Sequence, residues 1–359
     1  MKKQQDGKSF FVILESYIIA IVGGFLFYVT HLPLPWVLGS MTTMLIWKTF
    51  TKRKVVSPSI SYNLGIAFLG IYFGLSFTKE TFITVTPYII PFILFTFVII
   101  TLSVCNSIII SKYIKVDTVT SVLGSIPGGL SEMVAASESL KANSSMVVVF
   151  QTIRLLTVVF FVPFMVTHLF VTREITPITI ASKGGAGEWW LYFIYIPGIV
   201  LGWVFKNKIP AALVIIPLLY TALFNISGVP LAVIPSWGVV CAQITVGMFL
   251  GAKMTIKDLK LGGKYSGIYF GFAILLIGIC FGVGYVFSIF TPLSLSTAIL
   301  SFAPGGLVEM VLTANSIGAD PAVVSSLQFI RLLLIILIVP GFLKWFFTRK
   351  QRRSIRHSS

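Results

Sequence analysis

The chain has 359 residues, of which 56% are hydrophobic and only 11% charged, with a formal net charge of +16 and a mean hydropathy of +0.97. A water-soluble domain carries about 25% charged residues, so this composition excludes a globular protein with a polar surface and points to lipid as the main solvent. The basic residues sit in short connecting stretches and in the tail (Arg349, Lys350, Arg352, Arg353, Arg356), directly after an apolar run. That placement is juxtamembrane positive-inside charge rather than a nucleic-acid patch.

Residues 1–10, with Lys2, Lys3 and Lys8, read as a cytoplasmic N-terminus. No small-residue cleavage pattern follows, so the first apolar run is expected to be a retained helix. Six elements are then predicted, at about 11–30, 34–50, 59–78, 85–111, 118–141 and 144–171. Residues 55–78, 81–111, 209–252 and 265–308 carry no Lys, Arg, Asp or Glu. A span needs about 20 apolar residues, so each of the last two runs can hold a pair. The fifth element differs from the rest: Pro127-Gly128-Gly129 breaks it, and its second arm is polar (Ser131, Glu132, Ser137, Glu138). Proline removes a backbone donor and two glycines loosen the turn. Cys105, Cys241 and Cys280 fall in apolar runs and read as packing residues.

The chain matches itself at an offset of 177 residues. Across 127–156 against 304–333, 15 of 30 positions are identical without a gap. Pro127-Gly128-Gly129-Leu130-X-Glu132-Met133 lies over Pro304-Gly305-Gly306-Leu307-X-Glu309-Met310, and Gln151-X-X-Arg154 over Gln328-X-X-Arg331. The same offset pairs Gly70 and Gly74 with Gly247 and Gly251, Pro33 with Pro210, and Pro163 with Pro340. Apolar bias alone does not keep such residues in register, so the chain is an internal duplication. The expected boundaries are repeat 1 over 11–172, a linker over 173–187, repeat 2 over 188–349 and a cytoplasmic basic tail over 350–359.

Loop charge arbitrates the topology. Basic loops follow two crossings apart in the first half (Lys48 to Lys54, then Lys112 and Lys115), and in the second half at Lys206/Lys208 and Lys253 to Lys264. Twelve full crossings put Lys253, Lys257, Lys260 and Lys264 outside; five crossings plus one re-entrant element per half put every basic loop inside. The linker cations Arg173 and Lys183 go against this arrangement. The expected fold is an all-α polytopic membrane protein of two inverted-topology repeats, with about ten transmembrane helices, two re-entrant or broken hairpins and both termini cytoplasmic.

The candidate site is where the two motifs meet: Ser125, Pro127, Gly128, Gly129, Ser131, Glu132, Gln151 and Arg154 from repeat 1, with Pro304, Gly305, Gly306, Glu309, Gln328 and Arg331 from repeat 2. Helix N-termini after the glycines suit an anion. A carboxylate at membrane depth is costly and marks function, as proton carrier or cation ligand, or a structural ion pair with Arg154 or Arg331. Gln and Arg at i, i+3 share a helix face, and a guanidinium binds a carboxylate with two prongs. An anionic substrate, and an uncharged one beside arginines neutralised by their glutamates, both fit, and a cation is the remaining alternative. His31, His168 and His357 form no metal group, and no catalytic constellation or cofactor motif is present.

These residues, above all the doubled Pro-Gly-Gly-X-X-Glu-Met with its Gln-X-X-Arg, resemble the AbrB family of membrane proteins, whose halves are described as an AbrB duplication. The resemblance covers nearly the whole chain. It implies a multi-pass membrane protein similar to inverted-repeat antiporters and anion transporters, with no settled substrate. Members carry labels that include an ammonia monooxygenase and a regulator of gene expression. A copper monooxygenase needs clustered ligands, which three scattered histidines do not provide. The sequence therefore leads to two readings. The first is an inner-membrane secondary transporter of a small metabolite, coupled to H+ or Na+. The second is a membrane-embedded sensor that affects gene expression indirectly. Neither is an enzyme. The expected partners are the bilayer and the small molecule, without direct nucleic-acid contact; a homo-oligomer is compatible with both.

Overall fold

In the computed structural model the described residues are 2–53, 55, 57–114, 116–128, 130–140, 142–170, 189–209, 211–253, 263–335 and 342, and among them every regular element is a helix. The first half gives α1 (Lys2–Val29), a π-helical turn (Pro35–Gly39) leading into α2 (Ser40–Thr51), α3 (Ser59–Gly74), α4 (Lys79–Val85), α5 (Ile89–Ile114), α6 (Thr118–Ser125), α7 (Leu130–Ser139) and α8 (Ser144–Phe170). The second gives α9 (Tyr195–Phe205), α10 (Ala212–Ile226), α11 (Ser236–Lys253), α12 (Lys264–Phe290), α13 (Leu295–Phe302), α14 (Leu307–Ser316) and α15 (Pro321–Ile335). Shifted by 177, α10 to α15 fall on α2, α3, α5, α6, α7 and α8. The linker over 173–187 and the tail over 350–359 lie outside the described residues. α1 begins at Lys2, so it runs through the stretch expected as an N-terminal extension.

Among the described residues, four stretches are long and apolar enough to cross a bilayer: Phe11–Val29, Lys79–Ile114, Ser144–Leu169 and Tyr265–Ile289. Their outer faces carry exposed apolar side chains, such as Phe11 at 71% and Ile90 at 72%. A soluble protein would hide these, whereas lipid tails accept them. The chain is an all-α, multi-pass membrane protein.

The chain divides into two compact units, each with pieces from both repeats; α14 falls in the first unit although its counterpart α7 falls in the second. The first holds Met1–Pro87, Pro163–Ile256 and Gly306–Ser325; the second holds Tyr88–Val162, Lys257–Gly305 and Ser326–Ser359.

In the first unit, α3 packs on α10 and α11 on α2. A Cβ on Gly70 would strike the Val214 carbonyl, and one on Gly247 would strike the Val37 carbonyl; Gly74 meets Leu218 and Gly251 meets Met41 in the same way. Val37 and Val214, like Met41 and Leu218, are 177 apart, so the two crossings are copies of one another. Lipid gives no hydrophobic drive for helix pairing, and close backbone approach through small residues supplies the packing instead. Leu34 and Ala211, also equivalent, both take left-handed backbone angles (φ 47 and 53) at the entry to these helices. Non-glycine residues rarely do so, and the shared strain marks the same turn built twice.

In the second unit, α5 packs on α6 and α12, and α12 on α13. A buried cluster of Val122, Leu123, Ile126, Met133 and Val147 closes around the end of α6 and also takes in Ile335 of α15. This unit carries the breaks.

Candidate functional site

Each repeat holds a helix interrupted at the same place. Asp117 and Ser294, equivalent residues, start α6 and α13 by accepting from the backbone N–H of Thr120 (3.0 Å) and Thr297 (3.3 Å). Both helices run eight residues and stop before Pro127 and Pro304. A proline has no N–H, so the carbonyl four residues earlier loses its helical donor. In repeat 1 that carbonyl belongs to Leu123, and Gln151 replaces the donor: its Nε2 reaches Leu123 O at 2.7 Å and Ile126 O at 3.0 Å. In repeat 2, Gln328 Nε2 reaches Leu300 O at 2.6 Å and Ala303 O at 3.1 Å. The glutamine at this spacing is thus the counterpart of the proline.

The arginines complete the same repair. Arg154 donates through Nη1 to Ile126 O (2.9 Å) and through Nη2 to Gly128 O (3.3 Å). Arg331 donates through Nη1 to Phe302 O (3.2 Å) and Ala303 O, and through Nη2 to Gly305 O (2.8 Å). Both arginines are 7% exposed, and the two glutamines 2% and 1%. All four belong to the second unit, and the two guanidiniums lie within electrostatic range of each other.

Charge arithmetic says what this arrangement attracts. A helix C-terminus carries about −0.5 of an elementary charge. Two such ends give about −1 against the +2 of the arginines, which leaves about one positive charge in a buried site. Neither guanidinium has an ion pair among the described residues. The Nε of both arginines and the Oε1 of both glutamines are buried without a hydrogen-bond partner among the described residues. A buried polar group so placed costs about 1–3 kcal/mol, and four at equivalent positions make a recurring feature rather than an accident. The combination offers two N–H donors and two amide acceptors to a small polar ligand whose net charge is negative.

The glycines and the glutamate have a separate logic. In the first unit, α14 starts at Gly306 with Glu309 in its first turn. The Glu309 carboxylate folds back onto Gly306, where a Cβ would collide with Oε2. The second glycine of the motif is therefore the seat of the carboxylate, which lies at the positive end of its own helix. In the second unit, a Cβ on Gly128 would come within 2.8 Å of Met133 Cε, so the first glycine makes room for the motif's methionine, itself fully buried. Arg331 is held by carbonyls and Glu309 by its own helix terminus. Tyr72 of α3 accepts from Asn315 Nδ2 at 3.2 Å, tying α14 to α3.

Of the residues marked in the sequence, Ser125, Pro127, Gly128, Gln151, Arg154, Pro304, Gly305, Gln328 and Arg331 come together in the second unit. Gly306 and Glu309 are assigned to the first. Gly129 and the side chains of Ser131 and Glu132 lie outside the described residues. Sequence reasoning missed Tyr269. Its hydroxyl donates to Ser121 Oγ at 2.7 Å and its ring stacks on Phe150. At the equivalent place Phe92 meets Phe302, with ring centroids 4.6 Å apart. Placing the two repeats in register and looking for polar-for-apolar exchanges would have found it, since Tyr269 aligns with Phe92 as Phe302 does with Ser125.

A family model described as "Transition state regulatory protein AbrB" matches residues 7–347. Two curated relatives match along nearly their whole length. "Uncharacterized protein YhjN" of Bacillus subtilis (strain 168) is 26% identical, with 95% of this chain and 94% of the relative covered. "Putative regulator AbrB" of Escherichia coli (strain K12) is 23% identical, with 91% and 94% covered.

Proposed function

We propose that this chain, which belongs to the AbrB family, is a secondary transporter that carries a small organic anion across the inner membrane of a bacterium, with both termini cytoplasmic. The observation that carries the reading is the pair of buried arginines, each anchored to the carbonyl end of a broken helix and each keeping an unpartnered Nε. Broken helices at the junction of internal repeats are where transporters of this architecture bind substrate and coupling ion. Glu309, buried at a helix N-terminus, and its counterpart Glu132 are the proposed coupling residues for H+ or Na+. The role needs no bond-making chemistry. It takes lipid, substrate and coupling ion as partners, and it leaves the duplication a purpose, since alternating access uses two related gates.

The second reading is a membrane-embedded sensor of the same anion. The regulatory descriptions attached to the family model and to the Escherichia coli relative favour it. Reconstitution into liposomes with an imposed pH or Na+ gradient and a panel of labelled mono-, di- and tricarboxylates separates the two. Gradient-driven uptake that Glu309→Gln or Glu132→Gln abolishes supports the transporter. Thermal stabilisation by an anion with no flux of any panel member supports the sensor. Uptake unchanged in both variants removes the glutamates from coupling.

A further inference from the structure

The two halves of the second unit differ in one systematic way. The inward face of α5 carries Thr96, Ser103 and Ser107, which are 1%, 0% and 0% exposed. At the 177 offset the matching face of α12 carries Ala273, Cys280 and Gly284. On the next helix, Ser121 and Ser125 of α6 stand where α13 has Ala298 and Phe302. At these five positions repeat 1 carries hydroxyls where repeat 2 carries Ala, Cys, Gly, Ala and Phe, while α13 keeps buried hydroxyls elsewhere, at Thr297 and Ser301.

The hydroxyl side carries short local contacts. Ser111 Oγ lies 3.3 Å from Thr118 Oγ1, Ser121 donates to Ser107 O at 3.1 Å, and Tyr269 donates to Ser121. The hydroxyls of Thr96, Ser103 and Ser107 are buried in this face with no hydrogen-bond partner among the described residues. Burying an unsatisfied hydroxyl is unfavourable, so three along one stripe suit a face that can meet water or a hydrogen-bonding ligand. The apolar side is shut: a Cβ on Gly284 would come within 2.7 Å of Ile299 Cα, and Phe287 and Phe92 enclose Phe302. Cys280 lies within electrostatic range of Arg331, and at the 177 offset Ser103 and Arg154 are their counterparts.

We propose that the Ser103, Ser107, Ser121 and Ser125 face is the polar route by which water and a small hydrogen-bonding anion reach Arg154 from the Lys112 end of α5, and that the matching face of repeat 2 is the closed gate. The positive-inside rule puts the Lys112 end on the cytoplasmic side. The inference rests on the transporter reading for its purpose, but the route itself is tested without flux.

The native Cys280 is an internal control, because it sits at the equivalent of Ser103. In a Cys105→Ala, Cys241→Ala background, Ser103→Cys is introduced and inside-out membrane vesicles are treated with 2-sulfonatoethyl methanethiosulfonate, an anionic, membrane-impermeant reagent. Mass spectrometry follows both thiols in the same molecules. The expected result is modification at position 103 faster than at Cys280 by about tenfold or more, since access and local positive charge govern thiol reactivity. Ser107→Cys, made separately, reports the same route should Ser103→Cys fail to fold. Equal rates, faster reaction of Cys280, or reaction at 103 only in right-side-out vesicles overturns the proposal. A reactive position 103 in a protein that moves no anion would refute the transporter reading and leave the route standing.

Discussion

If Gln151 exists because Pro127 lacks an N–H, the two residues must be energetically coupled, and the coupling can be sized. Gln151→Leu removes donors to Leu123 O and Ile126 O. Ile126 O keeps Arg154 at 2.9 Å and the Gly128 N–H at 2.7 Å, so only Leu123 O is orphaned. One buried unsatisfied carbonyl costs about 1–3 kcal/mol, and removal of the unpartnered Oε1 offsets part of it, for a net loss of about 1–2 kcal/mol. Pro127→Ala returns a backbone N–H four residues beyond Leu123. The double variant should therefore be more stable than the sum of the single changes by about 1 kcal/mol or more, a neighbour effect of ordinary size. Denaturant titration in detergent micelles, followed by circular dichroism on both singles and the double, measures this. Additivity within about 0.5 kcal/mol would show that the glutamine does not stand in for the proline's missing donor. Gln328→Leu with Pro304→Ala should repeat the result.

Gly70→Ala and Gly247→Ala should each destabilise by about 1–3 kcal/mol, as overpacking does, and by similar amounts, because their carbonyl partners are equivalent; unequal losses in the same titration would show that the copied crossings are not energetically alike. Gly306→Ala should drive the Glu309 carboxylate off its helix terminus and reduce gradient-driven uptake without loss of expression or of a monodisperse elution profile; unchanged uptake would make that seat of the carboxylate dispensable. Tyr72→Phe should cost about 0.5–1.5 kcal/mol, the worth of one hydrogen bond to Asn315, and unfolding at the wild-type midpoint would show that the contact contributes nothing.

Much of the fold was legible because the constraints were local or repeated. Charge-free runs located the spans, and Pro127-Gly128 and Pro304-Gly305 located the breaks. The 177-residue offset carried each assignment from one half to the other. Part of the residue set marked in the sequence comes together in the second unit, but its bonding pattern was not legible. A motif shows Gln151 and Arg154 on one helix face, yet nothing in it says that both point to the carbonyls of residues 123–128. Arg331 lies against a helix C-terminus and Glu309 at a helix N-terminus, two backbone fields that spacing alone does not display. The compact units were also hidden, since each is assembled from both repeats and only three-dimensional contact reveals that exchange. Tyr269 against Ser121, 148 residues apart, belongs to the same class of long-range contact.

Substrate counterflow in proteoliposomes tests the central claim most directly. Liposomes loaded with an unlabelled anion from the panel receive a trace of the labelled anion outside, with wild type compared with Arg154→Met, Arg331→Met and the double variant. Transient accumulation by wild type, reduced in each single variant and absent from the double variant with its fold intact, is the predicted result. Accumulation that persists in the double variant would contradict a site built on the paired arginines.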